Sequence, residues 1–310
     1  MPLYLTEHDV STLLDRADVV PVIEDCFRRM AAGSVENLPR RRLPLAGGAL
    51  AVMAATDTEL GFAGIKSYAV VNGKAGFVVC LFSLEDGSLV AVIEADKLGQ
   101  LRTGAASGVA AKYLARPGAG SVGLIGCGWQ AESQLGAIRA AVPSIETALA
   151  WCRTPETRET FCSRTGATPA ESSQEVAACD VVVTVTPSRD PVLRGEWLRP
   201  GVLVCAVGAN DVRRRELDNV VLERATFVCC DSLEQARVES ADLTEPVAAG
   251  VLDWLEVHEL QEVVAGDVRG RSADTDVVIF KSNGLAAWDV AIGAEALRRA
   301  REQGVGRVLN

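Results

Sequence analysis

Between residues 121 and 280 the chain alternates short apolar runs with polar or amphipathic stretches. No other feature limits its fold as strongly. The runs are Ser121–Ile125, Thr147–Cys152, Asp180–Thr186, Val202–Val207, Thr226–Asp231 and Asp276–Phe280. Most are near-continuously hydrophobic, as strands covered on both faces must be. Helix-like stretches such as Gln130–Ala141 and Thr154–Ser163 lie between them. The expected fold class is therefore α/β: a doubly wound, mostly parallel sheet with helices on both sides.

The first 117 residues differ in character. Val20–Ala32 reads as a helix, followed by strand-like segments at Ala49–Ala54, Phe62–Val71, Phe77–Ser83 and Ser88–Ile93. Asn72-Gly73 and Asp86-Gly87 mark turns between them. A long Ala-rich helix is expected from about Lys97 to Ala115, ended by Arg116-Pro117-Gly118, and another over Leu285–Gln303. An amphipathic tail needs a partner for its apolar face. The predicted organisation is an α+β substrate and dimerisation domain from 1–117 plus 285–310, and a dinucleotide-binding domain over 118–284. No internal repeat of the solenoid or propeller kind is present.

Composition narrows the function classes. The 310 residues carry 31 basic and 41 acidic side chains, a net charge of −10, which disfavours non-specific nucleic-acid binding. The dense basic runs, Arg40-Arg41-Arg42 and Arg213-Arg214-Arg215, are each long enough to hold one small anion. No apolar run approaches the ~20 residues that cross a bilayer. The opening MPLYLTEHDV places acidic and polar residues where a signal peptide has basic and apolar ones. A cytoplasmic protein without a membrane partner is expected. Nine cysteines without a CxxC, and only His8 and His258 as histidines, make a zinc site improbable, so no metal is expected.

The run SVGLI is followed by Gly126-Cys127-Gly128-Trp129-Gln130-Ala131 and a helix-like segment. This is GxGxxA in a strand–turn–helix setting. Gly126 permits the tight turn, Gly128 admits a pyrophosphate to the backbone, and Ala131 allows close helix packing. Cys127 and Gln130 belong to the same turn. Where NAD-specific proteins place an acid after the second strand, this chain has Cys152-Arg153-Thr154. Arg153 either pairs with a 2′-phosphate, with Thr154 beside it, or is a solvated loop charge. NADP(H) is favoured over NAD(H).

Several segments together resemble the ornithine cyclodeaminase/μ-crystallin family: Gly64-Ile65-Lys66, Leu101-Arg102-Thr103-Gly104-Ala105-Ala106, and Tyr113-Leu114-Ala115-Arg116-Pro117. Gly208-Ala209-Asn210-Asp211, Arg215-Glu216-Leu217-Asp218 and Lys281 through Asp289 complete the likeness in the same order along the chain. The resemblance implies a homodimer built on the N-terminal domains, an active site in the cleft between the two domains, and nicotinamide-dependent chemistry at the α-carbon of small imino or amino acids. It implies that Arg42 and Lys66 are the carboxylate-binding and catalytic cations, counting back from Lys66 favouring Arg42 over Arg40 and Arg41. It further implies that Arg102 contacts the substrate carboxylate or the cofactor phosphates. Thr103, Thr186, Gly208 and Ser282 are the remaining expected cofactor contacts.

The residues themselves add to this. Lys66 stands in the apolar segment FAGIKSYAV, so it is either an edge-strand lysine facing solvent or a buried ammonium with a function or a partner. Ser282 and Asn283 suit a helix cap as well as a ligand. Met53 suits packing, and His258 a surface helix. Where cyclodeaminases and alanine dehydrogenases carry an Asp in the Gly-Ala-Asp-like turn, this chain has Asn210, with Asp211 next. An Asn hydrogen-bonds but accepts no proton as a base, so Asn210 favours reduction of an iminium over oxidation of an amine. A one-residue slip would put Asp211 there instead. The favoured reading is an NADPH-dependent imino-acid or ketimine reductase. An ornithine-type cyclodeaminase using bound NAD and a non-catalytic crystallin-like binder are the alternatives.

Overall fold

The computed structural model describes residues 1–309. Two compact units divide the chain: residues 1–102 with those from 285 onward, and residues 103–284. The first boundary falls inside helix α3 (Asp96–Leu114), after Arg102, and not at the Pro117 break. A helix breaker marks where a helix stops, not which core each turn of it serves.

The first unit is built on a largely antiparallel seven-stranded sheet. Its strands are β1 (Leu3–Leu5), β2 (Val35–Leu45), β3 (Gly48–Asp57), β4 (Phe62–Val71), β5 (Lys74–Ser83), β6 (Leu89–Glu94) and β15 (Arg307–Val308), in the order β15-β1-β6-β5-β4-β3-β2. Helix α1 (Glu7–Leu13) precedes α2 (Arg16–Ala31); α2 and the C-terminal helix (Ala286–Gln303) pack together, and the C-terminal helix lies on β3, β4 and β5. That face holds the core: Ala51, Met53 and Ala55 of β3 are buried, and Phe27 meets the Trp288 ring edge-on at 5.6 Å. Strand alternation sends Leu38, Val52 and Ile65 to the opposite face, where they stay partly exposed.

β2 is the strand that the sequence conceals. Its VENLPRRRLPL has two prolines and no apolar alternation, yet it pairs with β3 over its whole length, with a bulge between Leu38 and Arg41. Prolines are tolerated because β2 is the edge of the sheet, with one side free of partners in the ladder.

The second unit carries an all-parallel eight-stranded sheet: β7 (Ser121–Ile125), β8 (Thr147–Trp151), β9 (Thr168–Pro169), β10 (Val181–Thr184), β11 (Leu203–Ala206), β12 (Phe227–Cys230), β13 (Val257–Glu259) and β14 (Val278–Lys281). Their order is β13-β12-β14-β11-β10-β7-β8-β9. The six expected runs each hold a strand, with ends that differ by at most two residues. β9 and β13, of two and three residues, are too short for an apolar pattern. Strand order reverses between β7 and β10, the switch point at which open α/β sheets bind ligands beyond their carboxyl ends. Among the described residues no helix is long and apolar enough to cross a membrane.

Candidate active site

In the first unit the hydrogen-bond register places Lys66 opposite Met53 on β3 and Val79 on β5, on the face that the C-terminal helix covers. Its side chain is 3% exposed, and its Nζ donates to Asp289 Oδ1 at 2.7 Å. The solvent-facing alternative is therefore excluded. Asp289, in the first turn of the C-terminal helix, is the one charged residue in the buried run from Leu285 to Ala294. Arg102 Nε lies 3.3 Å from the same carboxylate oxygen, and the Arg102 guanidinium stacks 5.7 Å from the Trp288 ring. Burial pushes the Lys66 pKa down to about 8; Asp289 opposes the fall, and the positive charges of Arg102 and Arg40 add to it. A buried ammonium without such a counter-ion is prohibitively costly.

The three arginines of β2 separate. Arg41 pairs with Val52 and is exposed, whereas Arg42 pairs with Ala51 on the covered face and is half-buried. Arg40, within the bulge, is the buried one, at 5% exposure, and its positive charge helps lower the Lys66 pKa. Counting along a regular strand does not see that bulge; it reaches Arg42, which lies on the same covered face.

In the second unit Gly126, in the turn between β7 and helix α4 (Trp129–Ala141), has φ 117° and donates its N–H to Trp151 O at the end of β8, at 2.8 Å. A Cβ on Gly126 would meet Val185 O at 2.5 Å, so no larger residue fits. Gly128 is the N-cap of α4 and supplies no side-chain cap; open space surrounds its Cα hydrogens, and Ala131 is fully buried under the turn. Gln130 Oε1 is buried without a hydrogen-bond partner. Uncapped N–H groups at a helix N-terminus, a glycine with room beside it and an orphaned buried amide oxygen fit a dinucleotide pyrophosphate and its ribose. Burial and a hydrogen bond to Cys152 push the Cys127 thiol pKa up, so it packs as a neutral group. After β8, Arg153 and Thr154 are exposed at the start of the helix Pro155–Thr165.

The other expected residues lie as follows. Thr186 gives both its N–H and its hydroxyl to Glu216, at 2.6 and 2.8 Å, and Gly208 gives its N–H to Glu216 at 2.7 Å. Ser282 Oγ donates to buried Asp231 at 3.1 Å and does not cap the C-terminal helix; Asn37 Oδ1 accepts from Ala287 N there instead. Thr103 O accepts from Gln134 Nε2. Asn210 is half-buried beyond β11, while the Asp211 carboxylate is taken by the Arg213 backbone and guanidinium at 2.7–2.9 Å. Asp289 and Glu216 are the site residues that sequence reasoning did not assign. A lone acid in an apolar helix was the available signal for the first.

Comparison with known proteins agrees with this geometry. The profile of the ornithine cyclodeaminase/mu-crystallin family matches residues 2–303. The chain belongs to that family. It is 35% identical to an alanine dehydrogenase of Archaeoglobus fulgidus over 98% of this chain and 97% of the relative. A solved family structure, Thermococcus litoralis Δ1-pyrroline-2-carboxylate reductase with NADH and L-proline, superposes with a TM-score of 0.94 at 29% identity, covering 99% of this chain and 100% of that one. An archaeal alanine dehydrogenase dimer with bound NAD gives 0.93 at 34% identity, over 100% and 99% of the two chains.

Proposed function

We propose that the chain is an NAD(P)-dependent oxidoreductase that reduces a small α-imino acid or cyclic ketimine carboxylate, with NADPH preferred to NADH. The observation that carries this reading is the buried Lys66–Asp289–Arg102 cluster beside Arg40. A dinucleotide held by its phosphates at the Gly126–Ala131 turn would supply the hydride.

The protein's own groups do the rest. Arg40, with Arg42 further along the same face, offers a planar fork to the substrate carboxylate, and Lys66 adds an ammonium with two N–H donors beyond the one given to Asp289. Clamping the carboxylate fixes the prochiral carbon in one orientation. With a pKa near 8, Lys66 is charged at neutral pH and still gives up its proton readily, as a general acid toward the substrate nitrogen should. Asn210 hydrogen-bonds without acting as a base, and Asp211, held by Arg213, is engaged elsewhere. That favours reduction over the cyclodeaminase cycle.

NADPH is favoured because the chain lacks an acid after β8 and presents Arg153 there. Replacing Arg153 with Glu is expected to cost at least about tenfold in NADPH affinity and to leave NADH within a few-fold, since a charge-assisted bond to a phosphate is lost. Fluorescence titration with both nucleotides measures it. A homodimer is supported by the partly exposed apolar face of Leu38, Val52 and Ile65. Ile65→Asp is expected to turn a dimer into a monomer in analytical ultracentrifugation. Nine free cysteines suit the reducing cytoplasm.

The test of the function is oxidation of NADPH by the purified protein with pyruvate plus ammonia or methylamine, Δ1-pyrroline-2-carboxylate, Δ1-piperideine-2-carboxylate and iminosuccinate. Turnover with at least one of them is expected. Inertness toward all, with either reduced nucleotide, overturns the reading.

A further inference from the structure

Glu216 is fully buried in the second unit and spends its carboxylate on two loops. Oε1 accepts from Thr186 N at 2.6 Å and Thr186 Oγ1 at 2.8 Å; Oε2 accepts from Thr184 Oγ1 at 3.0 Å, Gly208 N at 2.7 Å and Ala209 N at 3.2 Å. The first loop follows β10 and the second follows β11, the two strands on the far side of β7 from β8. Their approach is so close that a Cβ on Gly208 would stand 2.2 Å from Thr186 N.

The residue is itself held from behind. Its N–H and that of Leu217 both donate to Asp242 Oδ1, at 2.8 and 3.0 Å, and Asp242 Oδ2 lies 3.1 Å from the buried Lys281 ammonium. Lys281 in turn donates to Ala209 O at 2.6 Å. Ala209 is thus clamped on both sides, its N–H by Glu216 and its carbonyl by Lys281, immediately before Asn210. Burial pushes the Glu216 carboxyl pKa upward and Asp242 adds to this, with Lys281 and Thr186 pulling the other way. A carboxylate kept in such a place is costly unless every donor is in register, so the network admits one spacing of the two loops.

We propose that Glu216 is a positioning residue: it sets the Thr186 loop and the Gly208–Ala209 turn at the spacing the nicotinamide half of the cofactor requires, and so places Asn210 for the reaction. This rests on the dinucleotide reading above, in which the Gly126–Ala131 turn and Arg153 serve the phosphates and the adenosine half. Damage at Glu216 therefore separates the two halves of the cofactor.

The experiment compares ADP-ribose carrying the 2′-phosphate (ADP-ribose below), which is NADPH without its nicotinamide, with NADPH in calorimetric titrations, and adds kcat and KM with the best substrate of the panel above. Gln preserves the volume of Glu but turns its amide NH2, itself a donor, toward N–H donors. Glu216→Gln is expected to bind ADP-ribose within about twofold of wild type, to lose about tenfold or more in NADPH affinity, and to lose on the order of 100-fold in kcat with substrate KM little changed. Thr184→Val, which removes one donor and keeps the shape, is expected to move the same quantities several-fold in the same direction. It decides the matter if Glu216→Gln fails to fold. Equal loss of ADP-ribose and NADPH marks general loosening and overturns the proposal, as does a folded variant with wild-type kcat and NADPH affinity. A wild-type protein that binds neither nucleotide overturns the dinucleotide reading and the positioning role together. One that turns over normally beside an indistinguishable Glu216→Gln variant overturns the positioning role alone.

Discussion

Lys66→Met removes the charge and keeps an unbranched apolar chain, and it is expected to lower kcat/KM by at least about a thousandfold. The loss has two sources: one of the cations on the substrate carboxylate disappears, and so does the proton that the substrate nitrogen receives. Stability is expected to change little, because Asp289 retains Arg102 at 3.3 Å and a costly buried ammonium is gone. Steady-state kinetics with a thermal melt on the same sample checks both parts. Wild-type turnover has a matching pH signature. If Lys66 is the proposed proton donor, kcat/KM for reduction is expected to be level below about pH 8 and to fall above it, since the pKa sits near 8. A profile that stays flat to pH 10 removes Lys66 from the chemistry.

Asp289→Ala is expected to be the most damaging substitution for the fold. The carboxylate is 1% exposed and is the shared counter-ion of Lys66 and Arg102, so its removal leaves two buried cations without it. Breaking a buried pair in this way costs about 3–5 kcal/mol, measurable by urea denaturation. Asp289→Asn is the gentler variant and tests electrostatics: an amide still accepts a hydrogen bond from Lys66 but no longer supports its charge. Asp289 raises the Lys66 pKa in the wild type, so in Asp289→Asn the alkaline fall of kcat/KM moves below pH 8. An unmoved profile in a folded variant separates Asp289 from the ionisation of Lys66.

Much of the parallel half was legible because its strands are covered on both faces and therefore leave uninterrupted apolar runs, as VVVT of β10 and LVCA of β11 do. The glycine turn after β7 was legible for a related reason, since backbone demands at Gly126 exclude side chains and show directly in the sequence. β2 was not, because an edge strand satisfies neither an apolar period nor a ban on proline. The bulge inside it hid that Arg40 joins Arg42 on the covered face, which depends on a single extra residue between Leu38 and Arg41. Asp289 and Glu216 were out of reach for another reason. Their partners lie 223 and 30 residues away along the chain, at Lys66 and Thr186, so only the folded backbone brings the groups together.

The two prolines of β2 also decide how copies of this protein can meet. Pro39 and Pro44 have no amide hydrogen to offer at the open border of the sheet, so a second molecule cannot extend it by docking its own strand there. Runaway templating, the hazard of any bare border, is thereby hindered at that side.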